Sequence, residues 1–273
     1  MLIAGFSLSK KMKVVAIIPS HLASVRFPGK ILFEFHGLPM IEHVRRRALL
    51  SKHINDVYVA TCDVEIAESI QKFGGKVIMT SNQHTNGTSR IAEAVAKIDC
   101  THVILLQGDE PLLLPRHLDQ LIDSIIQNPN GDAWNATAPL ESPEELDRHS
   151  FVKCAISESN KILLCFRRNP FFSELEKISG FTRKILGLIA FKKEFLLKLT
   201  SLPPGLVEVT ESIEQMRIIE NGHTLTAVNV SPSLPSVNEP SEALIVLNYI
   251  ENNDEQKQLL IQILTNNYAG ITF

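Results

Sequence analysis

The chain has 273 residues, 44% hydrophobic and 21% charged, the balance of an ordinary globular protein. Its 27 basic and 30 acidic side chains leave a formal charge of −3, which argues against an electrostatic nucleic-acid binder. No run reaches the roughly 18 apolar residues of a membrane helix, so membrane insertion is not expected.

Residues 1–11 carry a short apolar run with basic residues after it, not before it. That is not the pattern of a secretory signal, and these residues are expected to be a disordered extension. Residues 12–253 are expected to form one domain and residues 254–273 a helical tail.

A strand is predicted over Lys13–Pro19, where Val14 to Ile18 are all apolar. It empties into a small-residue, basic loop carrying Ser24, Arg26, Gly29 and Lys30. At the carboxyl end of a strand in an open α/β sheet, such a loop suits a polyphosphate. A polar surface loop is the plain alternative, because neither the P-loop nor the G-x-G-x-x-G pattern is present. The missing glycine fingerprint also counts against a dinucleotide-dependent dehydrogenase.

Pro39–Ser51 reads as a helix, and its Arg45-Arg46-Arg47 run as a solvated face. Asp56–Thr61 reads as a strand and Val64–Phe73 as a helix that stops at Gly74-Gly75, with Asp63 taken as its N-cap. Lys76–Thr80 is a short strand and Thr88–Ile98 an amphipathic helix, capped by Asn86 or Thr88. Arg90 falls in the first turn of that helix, where a cation opposes the dipole and calls for an anionic partner. An exposed arginine is the alternative.

His102–Gln107 is apolar enough to be buried on both faces, and Gln107-Gly108-Asp109-Glu110-Pro111 follows it. An acid there points into the ligand crevice, and a carboxylate is the natural protein ligand for magnesium. A simple turn is the competing reading. Pro115–Gln127 is a further helix. This β-α alternation implies a mostly parallel sheet with helices on both faces.

The second half changes character. Strands are predicted at Asp132–Pro139, Val152–Ser157, Lys161–Arg167, Ile185–Phe191 and His223–Val230. Helices are predicted up to about Leu199, over Val207–Glu220 to the Asn221-Gly222 stop, and over Ser241–Asn252 and Asp254–Thr265. Trp134 is expected in the core or an interface. Cys62, Cys100, Cys154 and Cys165 form no C-x-x-C pair and read as reduced thiols of a cytoplasmic protein.

Three segments occur together and in order: I-P-x-x-x-A-S-x-R-x-P-G-K from Ile18, H-x-x-G-T-x-R from His84, and Q-G-D-E-P from Gln107. With Gly37–Val44, Tyr58–Asp63, Phe73–Ser81 and Glu211–Gly222, the chain resembles the 3-deoxy-D-manno-octulosonate (Kdo) cytidylyltransferases. The resemblance runs from about Met12 to Asn252. It implies a nucleotide-diphosphosugar transferase fold, a Rossmann-like α/β mixed sheet flanked by helices, with a small hairpin-like dimerisation subdomain. It also implies a homodimer and the reaction CTP + Kdo → CMP-Kdo + pyrophosphate, for lipopolysaccharide synthesis.

Carried over by motif, Ser24, Arg26 and Lys30 would cradle the CTP phosphates, and Arg90 and Gln107 would lie at the nucleotide and sugar site. Asp109 would bind Mg²⁺, with Asn238 at the second metal position. Arg168, Glu214 and Gln215 would face the sugar acid, with Arg217 in support. The chain departs from the family at His21, where an arginine is usual, and at Ile185 and Ile189, where a histidine and a tyrosine are usual. Asn238 replaces an aspartate. These departures leave open a different acid acceptor, such as another keto-deoxy sugar acid or a phosphonate, or a non-catalytic nucleotide-binding relative.

Overall fold

The computed structural model describes residues 12–171 and 174–266. The expected N-terminal extension, and the end of the expected tail, lie outside the described residues. The elements in chain order begin with β1 (Val14–Ser20), a 3₁₀ turn (Lys30–Leu32), β2 (Glu34–Phe35), β3 (Leu38–Pro39) and α1 (Met40–Ala48). There follow β4 (Asp56–Thr61), α2 (Val64–Lys72), β5 (Lys76–Met79), α3 (Gly87–Ala96), β6 (His102–Leu106) and α4 (Pro115–Gln127). The second half holds β7 (Ala133–Ala138), α5 (Pro143–Asp147), β8 (Lys153–Ile156), β9 (Ile162–Phe166), α6 (Leu175–Ile178) and β10 (Thr182–Lys192). It closes with α7 (Lys193–Ser201), α8 (Leu206–Glu211), α9 (Gln215–Glu220), β11 (Leu225–Asn229), α10 (Pro240–Asn252) and α11 (Asp254–Thr265).

The main sheet runs β11-β7-β10-β6-β1-β4-β5. Strands β1, β4, β5 and β6 are mutually parallel, as the β-α alternation predicts. Strand β10 enters antiparallel to both β6 and β7, which makes the sheet mixed. Strands β8 and β9 form an antiparallel hairpin that joins the sheet through the first residues of β10.

Each central strand buries both faces. Val14, Ala16 and Ile18 of β1 pack with Ile104 and Leu106 of β6 against α1 and α4, while Val15 and Ile17 face Ile91 and Val95 of α3. That sandwiching explains the unbroken apolar runs, and it leaves the loops at the strand ends to form a site. Trp134 is fully buried, as expected. Cys100, Cys154 and Cys165 are buried, and Cys62 is half-buried.

Two expectations are corrected. The Arg45-Arg46-Arg47 run is not a solvated face, because Arg45 and Arg47 are 3% and 0% exposed. Glu42, itself buried, accepts two bonds from Arg45 (2.6 and 2.9 Å) and one from Arg46 (2.9 Å). Helix α11 covers Arg47, which donates to Gln256 Oε1 at 2.7 Å. Tertiary partners therefore override a local pattern that is charged on paper.

The single helix expected over Val207–Glu220 is two, α8 and α9, broken at Ser212 with φ 54°. In a straight helix Glu208 and Arg217 would stand about 13 Å apart along the axis. The break lets both Glu208 oxygens accept from Arg217 at 2.7 Å and buries Ile213.

Candidate active site

The carboxyl ends of β1 and β6 meet around Lys30 and Asp109. Lys30 Nζ donates to Asp109 Oδ2 at 2.6 Å and to the Val237 carbonyl at 2.9 Å. The Val237 N–H in turn donates to the Asp109 carbonyl at 2.9 Å. Three segments distant in sequence are thereby tied at one point. Gly108 makes the approach possible: a Cβ there would sit 2.8 Å from Ile31 Cδ1 of the 3₁₀ turn that carries Lys30.

The lacing places Asn238 at the site. Its Oδ1 accepts from Arg26 Nη2 at 3.2 Å. Its backbone N–H donates to Glu242 Oε2 at 2.6 Å, within the capping box that starts α10. Helix initiation, a purely local event, thus holds the Asn238 amide in position. Arg26, Asp109 and Asn238 line one cleft with Gln107, Glu214 and Gln215.

Asp109 and Asn238 supply hard oxygen donors, the type magnesium prefers. Magnesium keeps several waters and needs only one or two protein ligands, so this pair fits it. Among the described residues no group of three or more histidine, cysteine, aspartate or glutamate side chains converges on one metal position.

Beside Asp109, burial and the Asp109 charge push the Glu110 carboxyl up to about 7. Glu110 Oε1 accepts from the Gly187 N–H at 3.0 Å, and the Gln107 N–H donates to the Gly187 carbonyl at 3.1 Å. Gly187 is held between them so closely that a Cβ would fall 2.4 Å from Glu110 Oε1 and 2.5 Å from Gln107 Cγ. Across the cleft, Glu214 accepts from the Thr88 N–H at 3.3 Å, and burial raises its carboxyl above the ordinary range.

Other residues singled out in the sequence lie elsewhere. Arg90 is 4% exposed and donates to Thr80 Oγ1 (2.8 Å) and the Ser81 carbonyl (3.3 Å). It pins the β5–α3 loop and is neither a surface arginine nor a lining residue of the cleft. Asn86 caps α3 by accepting from Ser89 N at 2.8 Å. Ser24 is half-buried in the first loop, its N–H bonded to the Leu22 carbonyl at 2.8 Å, and it is not among the residues lining the cleft. Arg168 is exposed. Its neighbour Arg167 lines the cleft instead, donating to the carbonyls of His149, Glu211 and Ser212. Ile185 and Ile189 form part of the cleft wall.

Asp63 stands at the N-cap position of α2 but makes no capping bond there. Its Oδ2 accepts from Leu22 N at 2.8 Å, which anchors the basic loop. The sequence signal for this role is its place just past the carboxyl end of β4, beside β1.

Comparison with known proteins agrees with this geometry. A cytidylyltransferase family model matches residues 15–226. The 3-deoxy-manno-octulosonate cytidylyltransferase of Chlorobium limicola is 38% identical over 239 residues, 86% of this chain and 96% of the relative. The 8-amino-3,8-dideoxy-manno-octulosonate cytidylyltransferase of Shewanella loihica is 37% identical over 240 residues, 86% of this chain and 97% of the relative. A solved CMP:2-keto-3-deoxy-manno-octonic acid synthetase complexed with CTP superposes with a TM-score of 0.83 at 32% identity, covering 88% of this chain and 98% of its own. A basic loop after β1, an acid after β6 and this breadth of similarity have one meaning: the chain belongs to the cytidylyltransferase family.

Proposed function

We propose that the protein activates a 3-deoxy sugar acid, with CTP and Kdo giving CMP-Kdo and pyrophosphate. One observation carries the reading. The Lys30–Asp109 contact, laced to Val237 and flanked by Arg26 and Asn238, gathers cations and hard oxygens at the sheet's carboxyl edge. That is where a nucleoside triphosphate needs them.

In this reading the anomeric hydroxyl of the sugar acid attacks the α-phosphorus of CTP. The new O–P bond forms as the bond to the β-phosphate oxygen breaks, pyrophosphate leaves, and the hydroxyl proton is released. Arg26 and Lys30 hold the phosphates in line and neutralise charge that moves onto the leaving group. Asp109 and Asn238 would hold Mg²⁺, which when bound supplies Lewis-acid charge neutralisation. Gln107, Glu214 and Gln215 line the cleft, and in this reading they face the sugar acid. A cytoplasmic homodimer belongs to the same proposal. The three buried thiols support a reducing compartment, and Leu163 on the hairpin strand β9 is 52% exposed, an apolar position that a second copy would cover.

The test is pyrophosphate release from CTP and Mg²⁺ with Kdo, against a control without sugar. Kdo-dependent release is expected, and its absence with CTP binding intact overturns Kdo as the acceptor. A second reading, a different acid acceptor, is favoured by the apolar wall that Ile185 and Ile189 give the cleft. Faster release with the 8-amino-3,8-dideoxy acid or another keto-deoxy acid selects it.

A further inference from the structure

We infer that Asn135 is a positioning residue that sets the polarity of the sugar-acid site by fixing the Gln215 amide; the inference rests on the proposed cytidylyltransferase reaction.

Asn135 lies in β7 and is fully buried. A buried amide must satisfy both of its ends. Here β10 is irregular against β7: Thr137 pairs Ile185 and Asn135 pairs Ile189, so two steps of β7 face four of β10. Leu186, Gly187 and Leu188 therefore lie opposite the single residue Ala136, and the Leu186 and Leu188 carbonyls turn to the Asn135 side chain. Asn135 Nδ2 donates to Leu186 O at 3.0 Å and Leu188 O at 3.3 Å, and it lies 2.9 Å from Ala136 O.

Backbone carbonyls only accept, so the nitrogen of Asn135 must face the bulge. Its Oδ1 therefore faces the other way and meets Gln215 Nε2 at 3.2 Å. Gln215 must then donate to Asn135. This fixes which end of the Gln215 amide is committed to the protein. Gln215 Oε1 remains as a hydrogen-bond acceptor at the cleft, suited to a hydroxyl or amine donor of the bound acid.

The same bulge carries Gly187, which Gln107 and Glu110 grip from the β6 side. Asn135 thus joins β10, the strand that carries Gly187, to the helix that begins at Gln215. A side chain with no solvent exposure and no place in the cleft lining governs one that is in it.

A double-mutant cycle on the full-length protein tests this, with Asn135→Ala, Gln215→Ala and the pair assayed by pyrophosphate release. Each single change is expected to raise KM for the sugar acid about five- to thirty-fold, the scale of one lost polar contact, while KM for CTP stays within about two-fold. The pair is expected to be no worse than Gln215→Ala alone. Additive effects on the sugar-acid KM, or an equal loss in the CTP KM, overturn the inference. Gln215→Glu leaves the sheet untouched and sets an oxygen against Asn135 Oδ1. It is expected to raise the sugar-acid KM even where Asn135→Ala fails to fold, and an unchanged KM overturns the inference. Failure of the unmodified protein to turn over any sugar acid overturns the reaction as well; normal turnover with an additive cycle overturns only the role of Asn135.

Discussion

Two side chains carry the sharpest expectations at the residue scale. Asp109 is bonded to Lys30 at a loop apex, so Asp109→Asn preserves shape and removes the charge a cation needs. Metal-dependent turnover is expected to disappear while the melting temperature stays within a few degrees. A near-normal rate refutes the metal role. Asn238 offers a neutral oxygen that accepts from Arg26, while its Nδ2 donates to Ser236 Oγ. Asn238→Asp adds the charge, and half-maximal activity is expected at a lower Mg²⁺ concentration. An unchanged Mg²⁺ titration means that residue 238 does not face the ion. Asp63 shows the limit of local reading: N-cap chemistry was a sound expectation from its place before α2, yet its carboxylate holds Leu22 instead.

The β10 bulge is where an element makes a site. Gly187 has room for hydrogen only, wedged between Gln107 and Glu110. Gly187→Ala is expected to push β10 off β6 and to cut kcat/KM by at least about ten-fold, the result of displacing site groups by an ångström. The readout is the steady-state rate together with a melting curve. A rate within about two-fold of the unmodified protein shows that the loop absorbs the methyl group. The broken α8–α9 pair teaches a related lesson. Periodicity over Val207–Glu220 matches one helix, but the Glu208–Arg217 clasp favours two.

Across the whole molecule, imidazoles shielded from water weigh against the fold in acid, and the raised carboxyls of Glu110 and Glu214 weigh in part the other way. Burial lowers the His43 and His102 pKa values to about 4, and it lowers that of His117 as well. Unfolded histidines take up a proton near pH 6.5. Below that pH these histidines bind more protons in the unfolded chain, so their contribution to stability is complete above about 6.5 and is lost as pH falls toward 4. For fully buried His43 the loss is on the order of 3 kcal/mol. Urea denaturation at pH 7 and at about pH 4.5 is expected to show a lower midpoint in acid, and equal midpoints contradict the account.

The sequence by itself determined the alternation of β1, α1, β4, α2, β5, α3, β6 and α4, the loops that follow β1 and β6, and the cytidylyltransferase class. The elements and loops depend on apolar periodicity or on residue types within a short window, and both are local; the class came from the resemblance that the ordered motifs carry together. Only the tertiary structure decided that β10 runs antiparallel and bulges, and that Arg45 and Arg47 are interior. It alone joined Arg26 to Asn238 across 212 residues and set Asn135 behind Gln215. Those outcomes depend on strand register and on partners distant in the chain, whose energies exist only once the sheet has closed and its polar groups have been paired.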